Sequence, residues 1–408
     1  MGEPRSQDHS DGSVELSIDQ IRVGSVCDMD VFDEAGRVLI GKGVALSEHF
    51  LDELKIRGIK SLRVSRGDVQ KLTGDASSIG EAADICSRRA DRSSEPLSDE
   101  RSVRFATEIG TAITALSNLG ADISAGATGS FDQLHALQAK FLEMLIEDTD
   151  QSISEAGRTD IDDALAKRSA QFSMLSMATA VEMRMSEEDV LLAGSCGLLH
   201  DIGLYSLPAH FRDPAHQLTF AETNQYRKHS EISAGILAQH PIFGDELGVV
   251  VMQVHEFPDG SGYPRGIQKH RFHRLTSLLS FVDFFITLIN PTPTRPPMVP
   301  YDAITCMLFK CRTGLIDATL WRAFINQCSL YGIDSKVVLD NGQGATVIRR
   351  DAEHYDRPVI LKEGDDQEIT RLKDSDRQIK TVYRGDVHLK VDRATIEALP
   401  MAELLRIS

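Results

Sequence analysis

The stretch CGLLHDIGLYSLP, residues 196–208, decides how this chain is read. Its apolar lead-in predicts a helix running into His200 and Asp201 and stopped by Gly203. Cys196 and Gly197 lie four and three positions before His200 on the same face, so another backbone or a ligand can approach closely there. An adjacent His and Asp at a helix end offer an imidazole and a carboxylate to one ion. A capped helix end with a surface His–Asp pair fits the dipeptide equally well, so the flanking sequence must decide.

From about residue 101 to 330 apolar residues recur at spacings of three and four, the pattern of amphipathic helices. Ile232, Ile236 and Leu237 form one such face, and Leu247, Val250, Val251 and Val254 another. His229 precedes Ile232 by three positions and Ile236 by seven, so it points inward. His255 ends the run LGVVVMQVH and shares a face with Val251 and Met252. Asp283 lies within SLLSFVDFFITLI, with Leu279 and Ile286 on its own face. A carboxylate so placed must be paired, protonated or metal-bound, because burying a lone charge is costly. Together His200, Asp201, His229, His255 and Asp283 form a mixed N/O ligand set of the kind that suits iron or manganese better than calcium. Such sites activate water beside a phosphoryl group.

A second feature is the loop HEFPDGSGYPRG, residues 255–266. Asp259-Gly260-Ser261-Gly262 predicts a tight turn, and Tyr263-Pro264 an extended exit. Glycines such as Gly262 let backbone come near a ligand. Tyr263 offers a ring for stacking on a base and Arg265 a cation for phosphate. Alone, the turn would also pass as an ordinary surface loop.

HDIG followed, 55 residues after His200, by a HExxDGxGYPxG pattern resembles the HD-GYP family, over about residues 150–310. The resemblance implies an all-helical catalytic part that binds two or three iron or manganese ions. It also implies hydrolysis of cyclic di-GMP by metal-activated water, to pGpG and then GMP. On this basis His200, Asp201, His229, His255 and Asp283 are the expected metal ligands, with Asp201 able to bridge ions and to serve as the catalytic carboxylate. Gly262, Tyr263, Pro264 and Arg265 are the expected nucleotide-pocket residues.

The chain departs from the family pattern at several positions. Arg168, in KRSAQFSM, stands where the family opens a helix with a histidine. Val254 replaces the first histidine of the HHE motif. Leu204 replaces a lysine expected to touch phosphate, and Ile286 replaces an aspartate three residues after Asp283. A guanidinium is a permanent cation and cannot ligate metal. Arg168 is therefore expected either to pair with Asp201 or Asp283, standing in for an ion, or to snorkel to the surface. The remaining ligands are enough for one ion rather than two or three, or for none. Two main readings follow: a metal-dependent cyclic di-GMP phosphodiesterase with a reduced site, or a non-catalytic sensor of that nucleotide or protein-interaction module. An HD phosphohydrolase for another nucleotide fits less well with the full GYP loop.

The rest of the 408 residues sets the frame. The fold class expected is mainly α, an HD-like helical bundle, with a small α+β module before it and a small β-rich module after it. Residues 1–13 read as disordered, 14–66 as the α+β module with a hairpin around DEAG, and 67–100 as a linker. Residues 101–330 read as the helical region and 331–408 as a β-rich extension opened by the hairpin VVLDNGQGATVIRR. A net charge of −17 argues against DNA or RNA as a partner, since there is no broad basic field to attract phosphates. Six scattered cysteines without a CxxC pattern read as reduced thiols. No leader is legible at the start, and Leu275–Ile289, which carries Asp283, is too short and polar to insert in a membrane. A cytoplasmic protein is expected.

Overall fold

A computed structural model describes residues 13–399 and 401–404, except 128, 159–162, 214, 241–243, 292–296, 352, 365–367 and 384–392, with only scattered positions described between 18 and 95. Two compact units emerge: residues 1–80 with 270–274, and residues 81–269 with 275–408. The expected disordered residues 1–12 lie outside the described residues, whereas Ser13 already belongs to a strand.

The first unit contains an antiparallel sheet of β1 (Ser13–Ser17), β2 (Val31–Phe32), β3 (Val38–Ile40) and β4 (Ser61–Ser65), in the order β1-β4-β2-β3. β2 and β3 pair as the expected hairpin, although the DEAG turn itself is outside the described residues. Strand alternation buries Leu16, Leu62 and Val64 on one face, where they pack with Val31, Leu46, Leu51 and Leu54.

The second unit is built on α1 (Asp99–Ser124), α2 (Asp132–Arg158), α3 (Ala164–Glu182) and α4 (Glu187–Leu199). It continues with α5 (Phe220–Tyr226), α6 (His229–Leu237), α7 (Gly244–Gln253), α8 (Thr276–Ile289), α9 (Pro300–Arg312) and α10 (Ala318–Cys328). The start of α1 at Asp99, with Ser98 accepting from the Arg101 N–H, sets the end of the expected linker. Asp163 caps α3 in the same way by accepting from Ala166.

α3 is the centre of the bundle. Every residue from Ser169 to Val181 is buried, and α1, α2, α4, α8 and α10 all pack on it. A helix buried all round needs small side chains wherever neighbours come close, and the SAQFSMLSMATA run supplies them. The closest approach is at Gly197 of α4: a Cβ there would sit 2.3 Å from Ser173 Cα. This is the close backbone approach expected from the sequence. α8 is apolar over most of its length, burying Leu278, Leu279, Phe281, Val282, Phe284, Phe285, Ile286 and Leu288. Each is worth about 1.5–3 kcal/mol against exposure.

After α10 the chain forms a five-stranded antiparallel sheet in the order β8-β7-β6-β5-β9. Its strands are β5 (Lys336–Leu339), β6 (Gly344–Arg349), β7 (Val359–Lys362), β8 (Ile369–Arg371) and β9 (Ile379–Val382). The expected hairpin is β5–β6, with Val337 opposite Ala345. The extension is not only β: α11 (Arg393–Ala398) and α12 (Met401–Leu404) follow the sheet. These short helices lack a strong period and were not legible. The extension is also tied into the helical unit. The Arg349 guanidinium of β6 is wholly buried and grips both Asp148 oxygens of α2, at 2.5 and 3.0 Å. It also donates to the carbonyls of Glu95 and Pro96. Asp148 sits at a non-helical point (φ −160°, ψ 92°) inside α2.

Candidate metal centre and GYP loop

Four helices deliver the expected ligands to one buried place. His200 caps α4 and Asp201 follows it; His229 opens α6; His255 lies two residues past α7; Asp283 sits mid-way along α8. All five are buried. The helix does not stop because of Gly203, as the sequence had suggested. α4 ends at Leu199 and Gly203 lies inside a 3-10 turn, Ile202–Ser206. Gly203 is needed for proximity: a Cβ there would meet His229 O at 2.4 Å, and its N–H donates to Ser233 Oγ at 2.8 Å.

The hydrogen bonds fix which ring nitrogens face inward. His200 Nδ1 donates to Gly197 O (3.1 Å) and His229 Nδ1 to Tyr226 O (2.6 Å). A carbonyl can only accept, so when these two rings are neutral their Nε2 atoms carry lone pairs. His200 Nε2 is 3.1 Å from Asp201 Oδ2, and His229 Nε2 is 3.0 Å from Asp201 Oδ1. His200 Nε2 and both Asp201 oxygens are buried without a hydrogen-bond partner. His229 Nε2 also lies 2.9 Å from His255 Nε2, but at His200 and Asp201 lone pairs face one another in a dry site, which calls for a cation. The ligand atoms of His200, Asp201 and His255 lie within 4.8 Å of one another. This donor set fits a divalent metal ion, so the cluster could bind one.

His255 and Asp283 form the other side. His255 Nδ1 donates to Asp283 Oδ2 (3.0 Å), the carboxylate-to-imidazole support usual behind a metal-bound histidine. Burial works against a charged His255, but Asp283 and Asp201 outweigh it and push the ring up to about 9. Burial holds His229 below its ordinary value. The remaining Asp283 oxygen is taken by Arg168.

Arg168 does not snorkel outward. Its Nη2 lies 2.8 Å from Asp283 Oδ1 and donates also to Thr287 Oγ1 at 2.9 Å; its Nη1 is 3.9 Å from Asp201 Oδ2. Burial disfavours ionised carboxylates, yet the adjacent cations keep both Asp201 and Asp283 well below the usual carboxylate range. Val254 is buried in the hydrophobic core and Leu204 is buried as well, and they present neither a ligand nor a cation.

The GYP loop closes over this centre. The Tyr263 ring stacks on His255 (centroids 4.8 Å, 19°) and meets His229 edge-on. The Arg227 guanidinium lies 5.4 Å over the same tyrosine ring, a cation that sequence reading missed because it needs α5 to place it. Gly262 is packed on the 255–257 backbone, where a Cβ would fall 2.4 Å from His255 O. Glu256 takes the N–H groups of Arg265 (2.7 Å) and Ile267 (3.0 Å) and so holds the loop shut, while Arg265 itself is exposed and Pro264 half-buried. The start of α12 also reaches the loop: Met401 N–H donates to Asp259 and Ala402 N–H to Ser261.

Residues 140–320 match the HD domain family model. A cyclic di-GMP phosphodiesterase of Pseudomonas aeruginosa is 26% identical over 176 residues, 43% of this chain and 42% of that one. A cyclic di-GMP phosphodiesterase of Thermotoga maritima is 32% identical over 126 residues, 30% of this chain and 34% of that one. A 3'3'-cGAMP-specific phosphodiesterase of Vibrio cholerae is 27% identical over 150 residues, 37% and 32% of the two chains. This chain thus spans less than half the length of these curated relatives. A solved HDG"Y"P protein of Bdellovibrio bacteriovorus aligns over 76% of this chain and 98% of its own, with a TM-score of 0.46 and 14% identity. Residues 140–320 are thus similar to HD domains, and the matched span is similar to curated cyclic di-GMP phosphodiesterases. Among the described residues no helix is long and apolar enough to cross a membrane.

Proposed function

We propose that this chain is an HD-GYP-type cyclic di-GMP signalling protein whose metal centre is reduced to a single iron or manganese ion, and that it binds the nucleotide rather than turning it over rapidly. The observation that carries the reading is the Arg168–Asp283 contact of 2.8 Å inside the ligand cluster. A fixed positive charge there repels a cation beside Asp283 and leaves His200, Asp201 and His255, with His229 adjacent, as the set for one ion.

When bound, such an ion supplies Lewis acidity to a phosphoryl oxygen and lowers the pKa of a bound water. The chain's own residues do the rest. Tyr263 gives a flat ring for base stacking, and Arg227 and Arg265 give cations for phosphate. Leu204, buried, contributes nothing to phosphate charge. Each missing electrostatic contact costs about 10²–10³ in rate, so losses at 168, 204 and 254 together remove most of the family's turnover. Slow hydrolysis is the second reading, favoured by the unpaired lone pairs of His200 and Asp201.

The test is equilibrium binding of cyclic di-GMP and 3'3'-cGAMP to the full chain with Fe(II) or Mn(II), with chromatography of products. Micromolar or tighter binding of cyclic di-GMP without pGpG or GMP supports the sensor reading. Products that vanish in Asp201→Ala support the phosphodiesterase. Preference for 3'3'-cGAMP would change the ligand assigned, and failure to bind either would overturn the proposal.

A further inference from the structure

The connection between Asp201 and His229 holds a second cluster, separate from the buried centre. A 3-10 turn, Ala209–Arg212, carries His210; His216 follows it; Glu222 lies in the first turn of α5. His210 Nε2 and His216 Nε2 both lie 3.3 Å from the same atom, Glu222 Oε1. The two rings meet edge to face at 4.8 Å, and the His210 ring is stacked on Phe211.

We infer that His210, His216 and Glu222 form a zinc-binding site. Two ligands bound at about 2.0–2.1 Å in a tetrahedron are about 3.3 Å apart, which is the separation found between each imidazole nitrogen and the carboxylate oxygen. The carboxylate is held for the task. Its other oxygen, Oε2, accepts from both the N–H and the hydroxyl of Thr219, at 2.8 Å each, in a capping box. Oε1 is thereby left facing the histidines. The same Thr219 hydrogen bonds pull Glu222 down to about 2, so it is an anion at any ordinary pH.

Two imidazoles and one carboxylate are a borderline-soft set that selects zinc over calcium or magnesium. Three protein ligands leave the fourth position to water, and the side chains are 42%, 37% and 26% exposed, so an ion can enter and leave. The chemistry is that of an exchangeable site, not a closed structural one. When filled it ties the 209–212 turn to α5, and so stiffens the segment between Asp201 and His229.

The test is zinc and Co(II) titration of the metal-stripped full chain, with bound metal counted by elemental analysis. Wild type, His216→Ala and Glu222→Gln are compared. The proposal expects one zinc equivalent of micromolar or tighter affinity to be lost, by 100-fold or more, in both variants. It expects tetrahedral Co(II) absorption bands from that equivalent to go with it, while Asp201→Ala keeps both. Thr219→Ala, which retains all three ligands but removes the hydroxyl that is one of two donors holding the carboxylate, is expected to weaken zinc by about tenfold. Equal zinc stoichiometry and affinity in wild type, His216→Ala and Glu222→Gln would overturn the site. So would Co(II) bands that disappear only in Asp201→Ala.

Discussion

Arg168 Nη2 lies 2.8 Å from Asp283 Oδ1, so a side chain rather than an ion neutralises this carboxylate. Removing the guanidinium leaves one oxygen of the buried Asp283 unpaired, with His255 alone holding the other. Arg168→Ala is therefore expected to destabilise the folded chain by about 3–5 kcal/mol, read as a shift of the urea midpoint at constant slope.

Arg168→His exchanges a repelling cation for a ligand. Bound iron or manganese, measured by elemental analysis after anaerobic loading, is expected to rise from one ion towards two per chain. Combining it with Val254→His and Leu204→Lys should raise hydrolysis of cyclic di-GMP by at least 10² over the parent. An unchanged metal content in Arg168→His would show that the guanidinium is not what limits loading.

Chelation separates the two sources of charge balance. With Arg168 in place, EDTA is expected to move the thermal midpoint by less than about 2 °C, the equivalent of roughly 1 kcal/mol in a unit of this size. In Arg168→His the same treatment should cost clearly more, because the metal then takes over the part of Asp283's charge balance that Arg168 supplied.

Tyr263 holds its ring between the histidines and Arg227, so a base stacks there where Arg227 swings off the ring. Base stacking on such a ring is worth about 1–3 kcal/mol. Tyr263→Ala should accordingly weaken nucleotide binding by about fivefold to 150-fold with little change in metal content. Equal losses of both would mean that the ring only supports His255.

The Arg349–Asp148 pair gives the chain an acid limit. Burial opposes ionisation of Asp148, but Arg349, the Gln151 N–H and Arg101 together lower its pKa below 3.8 in the folded state. A depressed carboxylate adds stability above its unfolded value, and this is lost as pH falls through the folded one. Arg349→Met should cost about 3–5 kcal/mol at pH 7. The gap to wild type should narrow as the pH drops below 3.8, because protonation removes what the mutation removes.

Which residues meet at the centre was largely legible, for local reasons. His200 and Asp201 are adjacent, His229 and His255 lie on helices whose apolar period sets their direction, and HEFPDGSGYPRG is contiguous. The rest depends on distance in the chain. Whether Arg168 turned inward could not be read from KRSAQFSM, because a long flexible side chain at the start of a helix can go either way. Its direction was set by Asp283, 115 residues later. His210, His216 and Glu222 were passed over because their spacings match no helical period; a 3-10 turn and a capping box bring them together. Arg349 looked like the end of a hairpin strand, with nothing to show that Asp148 waits at a break in α2.

That last contact bears on how the molecule can be divided. The span that matches the HD domain model, 140–320, contains Asp148 but not Arg349. Excised at those limits, it would carry into its interior a carboxylate cut off from its counterion. The recognisable module and the smallest autonomous piece are thus different objects here. A fragment meant to report on the metal centre needs to reach back to residue 95 and forward through β6, and the extension after α10 is part of the scaffold on which that centre stands.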